Sequence, residues 1–80
     1  MNKILKITNC NNKPQFIKAI MDNTNKSAYE SKCIADSLVV NCKSIGTLLL
    51  NESSITPEQW ETIVEQCNSK NAGLEWHYVE

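Results

Sequence analysis

The chain has 80 residues, of which 41% are hydrophobic, 21% charged and 6% aromatic, a mix that suits one globular domain and excludes a disordered tail. The formal net charge of -1 excludes a polyanion binder of the strongly basic kind, and no apolar run approaches the roughly 20 residues that span a bilayer. After Met1 the opening stretch offers only Ile4, Leu5 and Ile7, interrupted by Lys6, which is too short and broken for a secretory signal; a single cytoplasmic domain over 1–80 is expected.

Lys3–Thr8 alternates weakly and is β-prone, with Leu5 and Ile7 on one face and Ile4 on the other. Asn9-Cys10-Asn11-Asn12 follows as a turn, because asparagine tolerates left-handed backbone and bonds locally through its side chain. Pro14 suits the first turn of a helix, and Phe16, Ile17, Ile20 and Met21 recur at helical spacing until about Asp22–Asn25. Ser27-Ala28-Tyr29-Glu30 fits a capping box, which opens a second helix. Its stripe runs through Ile34, Leu38 and Cys42, with Ala35 and Val39 beside it, and Gly46 breaks it.

Thr47–Leu50 reads as a short buried strand. The third helix carries the best local signal: Thr56 caps it, Pro57 fills the first turn and Gln59 completes a second capping box. Ile55 and Trp60 form a hydrophobic staple around that cap, and Trp60, Ile63, Val64 and Cys67 follow the helical repeat to a fray near Asn71-Ala72-Gly73. In the last segment Leu74, Trp76 and Tyr78 alternate with Glu75, His77 and Val79, the pattern of a strand covered on one side. The predicted architecture is therefore α+β, a two-layer β-α-α-β-α-β sandwich in which three helices cover one face of a three-stranded sheet. A final strand at the sheet edge offers a seam for a homodimer.

Every basic residue is lysine, and the charge is uneven: residues 1–43 carry seven lysines against Asp22, Glu30 and Asp36, while residues 44–80 carry Lys70 against six glutamates. One basic and one acidic surface are expected. The absence of arginine removes bidentate guanine and phosphate recognition, and no aromatic residues interleave with the lysines as a stacking platform; this argues against nucleic-acid binding, the alternative that the basic half suggests. The richness in asparagine, lysine and isoleucine fits an A/T-rich genome, such as a low-G+C bacterium, a phage or another mobile element.

Four cysteines, Cys10, Cys33, Cys42 and Cys67, contain no C-x-x-C pair, and without a secretory signal buried thiols are favoured over a disulfide. Cys33 and Cys42 on one helix would point to opposite faces, and His77 is the only histidine, so no metal centre is expected. His77 is also the only base for a nucleophile, Cys67 belongs to the apolar stripe, and Gly46 and Gly73 are the only glycines, so there is no phosphate loop. The residues point to a non-catalytic chain with no cofactor.

The stretch Ile17-Lys18-Ala19-Ile20, then Thr24, then Glu30, Lys32, Ile34 and Ala35 resembles the I-K-x-[VI]…T…E-x-K-x-[LI]-[VA] signature of the C-terminal domain of the bacterial ribosomal stalk protein, without a gap across the first two predicted helices. The longer connection to the Gly46–Leu50 strand looks more like the Clp-protease adaptor that recognises N-terminal degrons, which uses the same fold. Asn25, Lys26 and Ser27 stand where the stalk family has a glycine-rich turn, and neutral Asn11 and Asn12 where the degron adaptor has acidic residues. What the resemblance implies is the shared property: a protein-binding module, adaptor or small inhibitor, docking through its first two helices onto a larger machine driven by nucleoside triphosphates. Lys18 and Lys32 match family positions, Lys26 lies on the turn between them, and Tyr29 is the candidate apolar anchor; together they are expected to meet an acidic protein surface.

Overall fold

A computed structural model describes residues 4–41 and 43–79, the side chain of Asn51 apart. Strand β1 (Ile4–Asn9) leads into helices α1 (Lys13–Asn23) and α2 (Ala28–Leu38). The short strands β2 (Val39–Val40), β3 (Lys43–Ser44) and β4 (Thr47–Leu49) follow, then a single turn of helix, α3 (Leu50–Ser53). Helix α4 (Pro57–Ser69) and strand β5 (Glu75–Val79) complete the described chain. The expected α+β class is observed, and its three principal helices are α1, α2 and α4.

The main sheet is antiparallel with order β4-β1-β5, so the first strand is central. Ile4 aligns with Leu49 on one side and Val79 on the other, and Leu5 aligns with Leu48 and Tyr78. Alternation then decides the faces: Leu5 and Ile7 are fully buried, whereas Ile4 and Lys6 are half-buried and Thr8 is exposed. Phe16, Ala19 and Ile20 from α1, Ala35 and Leu38 from α2, and Trp60, Ile63 and Cys67 from α4 close over Leu5 and Ile7 as one core. Helix α1 packs against α2 on one flank and α4 on the other.

The local signals for the helix starts are all present. Asn12 caps α1 by accepting from the Gln15 amide at 3.1 Å, with Pro14 in the first turn. Reciprocal capping boxes open α2 at Ser27 and Glu30 and α4 at Thr56 and Gln59. Ile55 and Trp60 are both buried, as a staple requires. At the far end of α4, Asn71 turns left-handed (φ 59°) and the Ala72 amide donates back to the Cys67 carbonyl at 3.0 Å.

Three expectations need correction. The stripe through Ile34, Leu38 and Cys42 suggests a helix reaching position 42, yet α2 stops at Leu38. Val39 is extended (φ -141°, ψ 132°), and the Ile45 amide donates to the Leu38 carbonyl at 3.0 Å, so a β2–β3 hairpin takes over the helix end. Asn41 at φ 52° makes its turn. Because α2 ends early, the argument that Cys33 and Cys42 occupy opposite faces of one helix no longer applies; Cys42, like Lys3, lies outside the described residues. The Thr47–Leu50 strand ends one residue sooner, since Leu50 starts α3. Gly46 does more than stop a helix: a Cβ there would lie 2.5 Å from the Ser37 carbonyl oxygen, so only glycine lets the hairpin close against α2.

The asparagine cluster after β1 is a fastener. Asn9 Nδ2 donates to the Gly73 carbonyl at 2.8 Å and to Asn11 Oδ1 at 3.2 Å, and the Asn11 amide donates to the Ala72 carbonyl at 2.7 Å. These bonds join the β1–α1 turn to the α4–β5 turn across most of the sequence.

Candidate functional site

The four expected partner-binding residues do not form one cluster. Lys18 lies on the seam between α1 and α4, where its ammonium is 3.2 Å from Asp22 Oδ2. The same oxygen accepts from Gln66 Nε2 at 2.9 Å, and Gln66 Oε1 accepts from Asn23 Nδ2 at 3.0 Å. Asp22 is held below the usual carboxylate range first by the Gln66 hydrogen bond and then by Lys18. Lys18 is thus tied into a clasp between two helices.

Lys32 is 3.6 Å from Asp36 Oδ2 on its own helix, and Lys13 of α1 pairs with the other oxygen of that carboxylate. The Lys13 hydrogen bond is the main cause of the lowered Asp36 pKa. Two lysines therefore share one carboxylate where α1 and α2 meet.

Lys26 and Tyr29 are the pair that the fold does bring together. Thr24 Oγ1 donates to the Ile20 carbonyl at 2.6 Å and accepts from the Lys26 amide at 3.2 Å, which fixes the turn between α1 and α2. Both side chains line an open groove of about 370 Å3, whose floor and walls also include Cys33 and Ile34 of α2 and Glu52, Ser53 and Ser54 at the end of α3. A second depression, lined by Thr24, Asn25 and Gln59, shares Lys26, Glu30 and Ser54 with it and extends it toward the start of α4. Tyr29 is 77% exposed, the most exposed large apolar side chain among the described residues. Lys32, at i+3 from Tyr29 on α2, does not line the groove; it is engaged with Asp36.

The groove is not a positive patch. Lys26 shares its lining with Glu30 and Glu52, and Glu30 is partly engaged in its capping box. The opposite wall carries Ser54 at φ 61°, a left-handed backbone that costs a serine about 1 kcal/mol. Glu52, Ser53, Ser54 and Cys33 escape sequence reading because the groove needs α3, and a four-residue helix has no period to detect.

The remaining chemistry-bearing residues are spread out. Cys67 is fully buried, and burial followed by the neighbouring Cys10 pushes its thiol up to about 12. Cys10 is buried as expected, but Cys33 is exposed. His77 is exposed, while Cys67 is in the core beneath the opposite face of the sheet. Trp60, Trp76 and Tyr78 stack edge-to-face in sequence on the helix-covered side, Trp60 fully buried and the other two half-buried. Among the described residues no helix is long and apolar enough to cross a membrane. Comparison with protein-family models, with curated proteins and with solved structures returns no match.

Proposed function

We propose that this chain is a non-catalytic protein-binding module of the cytoplasm, an adaptor or small inhibitor that docks on a larger assembly. Its docking surface is the groove between the N-terminal half of α2 and the α3–α4 junction. The observation that carries this reading is the 77% exposure of Tyr29 over the groove. A phenol with apolar area and a hydroxyl, left in water on a concave surface, is the kind of anchor that interfaces favour. The strained Ser54 opposite it supports the same reading, since sparsely populated backbone collects at functional sites.

The charges define the partner. Lys26 favours an acidic side chain at one end, while Glu52 favours a basic one across the groove. Lys18 contributes to the outer electrostatic field but is occupied by Asp22, so its role is the smaller one. The resemblance to stalk and adaptor domains in α1 and α2 agrees with docking through this end of the molecule.

The test is affinity capture of the tagged chain from its native host, read by mass spectrometry beside matched variants. A partner retained by wild type should be lost with Tyr29→Ala or Lys26→Glu, both with unchanged thermal transitions, and kept with Lys18→Glu. Partner retention by Tyr29→Ala, or loss only with Lys18→Glu, overturns the groove as the docking surface.

A further inference from the structure

The geometry points to β5 as a self-pairing edge: two copies join antiparallel along Glu75–Val79 about a twofold axis through His77, fusing their sheets into one of six strands. This goes beyond the docking function, and it uses the opposite border of the molecule. The groove belongs to the side of α2 and β4, whereas β5 is the far strand in the order β4-β1-β5.

Among the described residues β4 and β5 are the outer strands of the sheet, but the two borders are not equivalent. The β4 border is three residues long and turns at once into α3. The β5 border is five residues long, and β1 is the only described strand that pairs with it. Its sequence, Glu-Trp-His-Tyr-Val, contains no proline or lysine, the residues that most often blunt such an edge, and Glu75 at its start is its one charged residue. The irregularity in the pairing falls between Ile7 and Asn9 and leaves Trp76 to Val79 in regular register.

Symmetry then selects the register. In an antiparallel pair, directly opposite residues point to the same face, so a twofold axis must pass through a residue if the two helix-covered faces are to be continuous. An axis through Trp76 or Tyr78 leaves part of β5 without a mate in β5. Only an axis through His77 pairs all five residues, with Glu75 opposite Val79, Trp76 opposite Tyr78 and His77 opposite His77. On the covered face, the half-buried Trp76 and Tyr78 that already stack at 5.0 Å would each gain the other ring from the second copy. Glu61, whose charge reaches Tyr78, brings a carboxylate near this seam from each copy, so added salt strengthens the pairing. Two five-residue strands make a small interface, below ~1,200 Å2 in total, and the association is reversible.

Sedimentation equilibrium of the unmodified chain, from about 10 μM to about 1 mM, should show the mass rise from 9.0 kDa toward twice that value. The register is read by oxidative cross-linking in a Cys33→Ser, Cys42→Ser background. Paired Cα atoms in such a sheet are about 4.5–5.5 Å apart, within the reach of a disulfide. His77→Cys should cross-link to itself, whereas Glu75→Cys and Val79→Cys should cross-link only when mixed. Because His77 is exposed, its replacement leaves the core intact, and an unchanged thermal transition verifies this. A chain that stays at 9.0 kDa throughout overturns the proposal, as does a dimer in which Glu75→Cys self-links in preference to His77→Cys.

Discussion

The indole of Trp60 meets the indole of Trp76 edge-on, with ring centroids 5.6 Å apart and planes at 88°. Phe16 approaches Trp60 in the same manner at 6.0 Å, so Trp60 joins α1, α4 and β5. Its Nε1 is buried without a hydrogen-bond partner among the described residues. Trp60→Ala should therefore destabilise the fold by about 3–5 kcal/mol. Trp60→Phe should stay within about 1 kcal/mol of wild type, because losing an unsatisfied donor offsets part of the lost volume. Urea denaturation of both variants checks the contrast.

Gly46→Ala should be costly although the change is one methyl group. The new Cβ would meet a backbone carbonyl, that of Ser37, which cannot swing aside as a side chain would. A loss of about 1–3 kcal/mol is expected, again read by urea denaturation. An unchanged midpoint would mean that the β2–β3 hairpin does not close against α2.

Acid should loosen the helix clasps before it reaches the core. The Asp22 and Asp36 carboxyls are held below their ordinary value of 3.8 in the folded chain. Such groups contribute stability that is fully present above the unfolded value and is lost as pH falls through the lower folded one. The thermal transition should thus decline below about pH 4, and less steeply in Asp22→Asn. Since the Gln66 hydrogen bond is the largest cause at Asp22, Gln66→Leu should raise the Asp22 titration midpoint, measured by carboxyl NMR.

Thiol reagents should divide the described cysteines. Cys33 is exposed and should react in the native state at neutral pH. Cys67 is buried and, with its pKa pushed to about 12, remains a protonated thiol; it should react only on unfolding. Timed labelling with peptide mapping distinguishes the two, and rapid native labelling of Cys67 would contradict the core described above.

Legibility in the sequence followed the range of the interactions. Capping boxes at Ser27 and Thr56 are contained within four residues, and both are formed. The alternation of β1 and β5 and the stripes of α1 and α4 also report burial directly. The end of α2 was hidden because Val39 continues the helical stripe, while the bond that stops the helix comes from Ile45. Of the site, Tyr29 and Lys26 were visible as residue types on an N-terminal turn. Their separation from Lys18 was not, since it depends on Gln66, 44 residues from Asp22, claiming that carboxylate.

The central place of β1 also fixes when the molecule can become whole. Ile4 needs Leu49 on one flank and Val79 on the other, so this strand stays half-mated until β5, at the far end of the described residues, is in place. Such distant closures slow folding. A nascent chain would hold β1 in waiting, open to misassociation, until β5 leaves the ribosome and takes its place beside it.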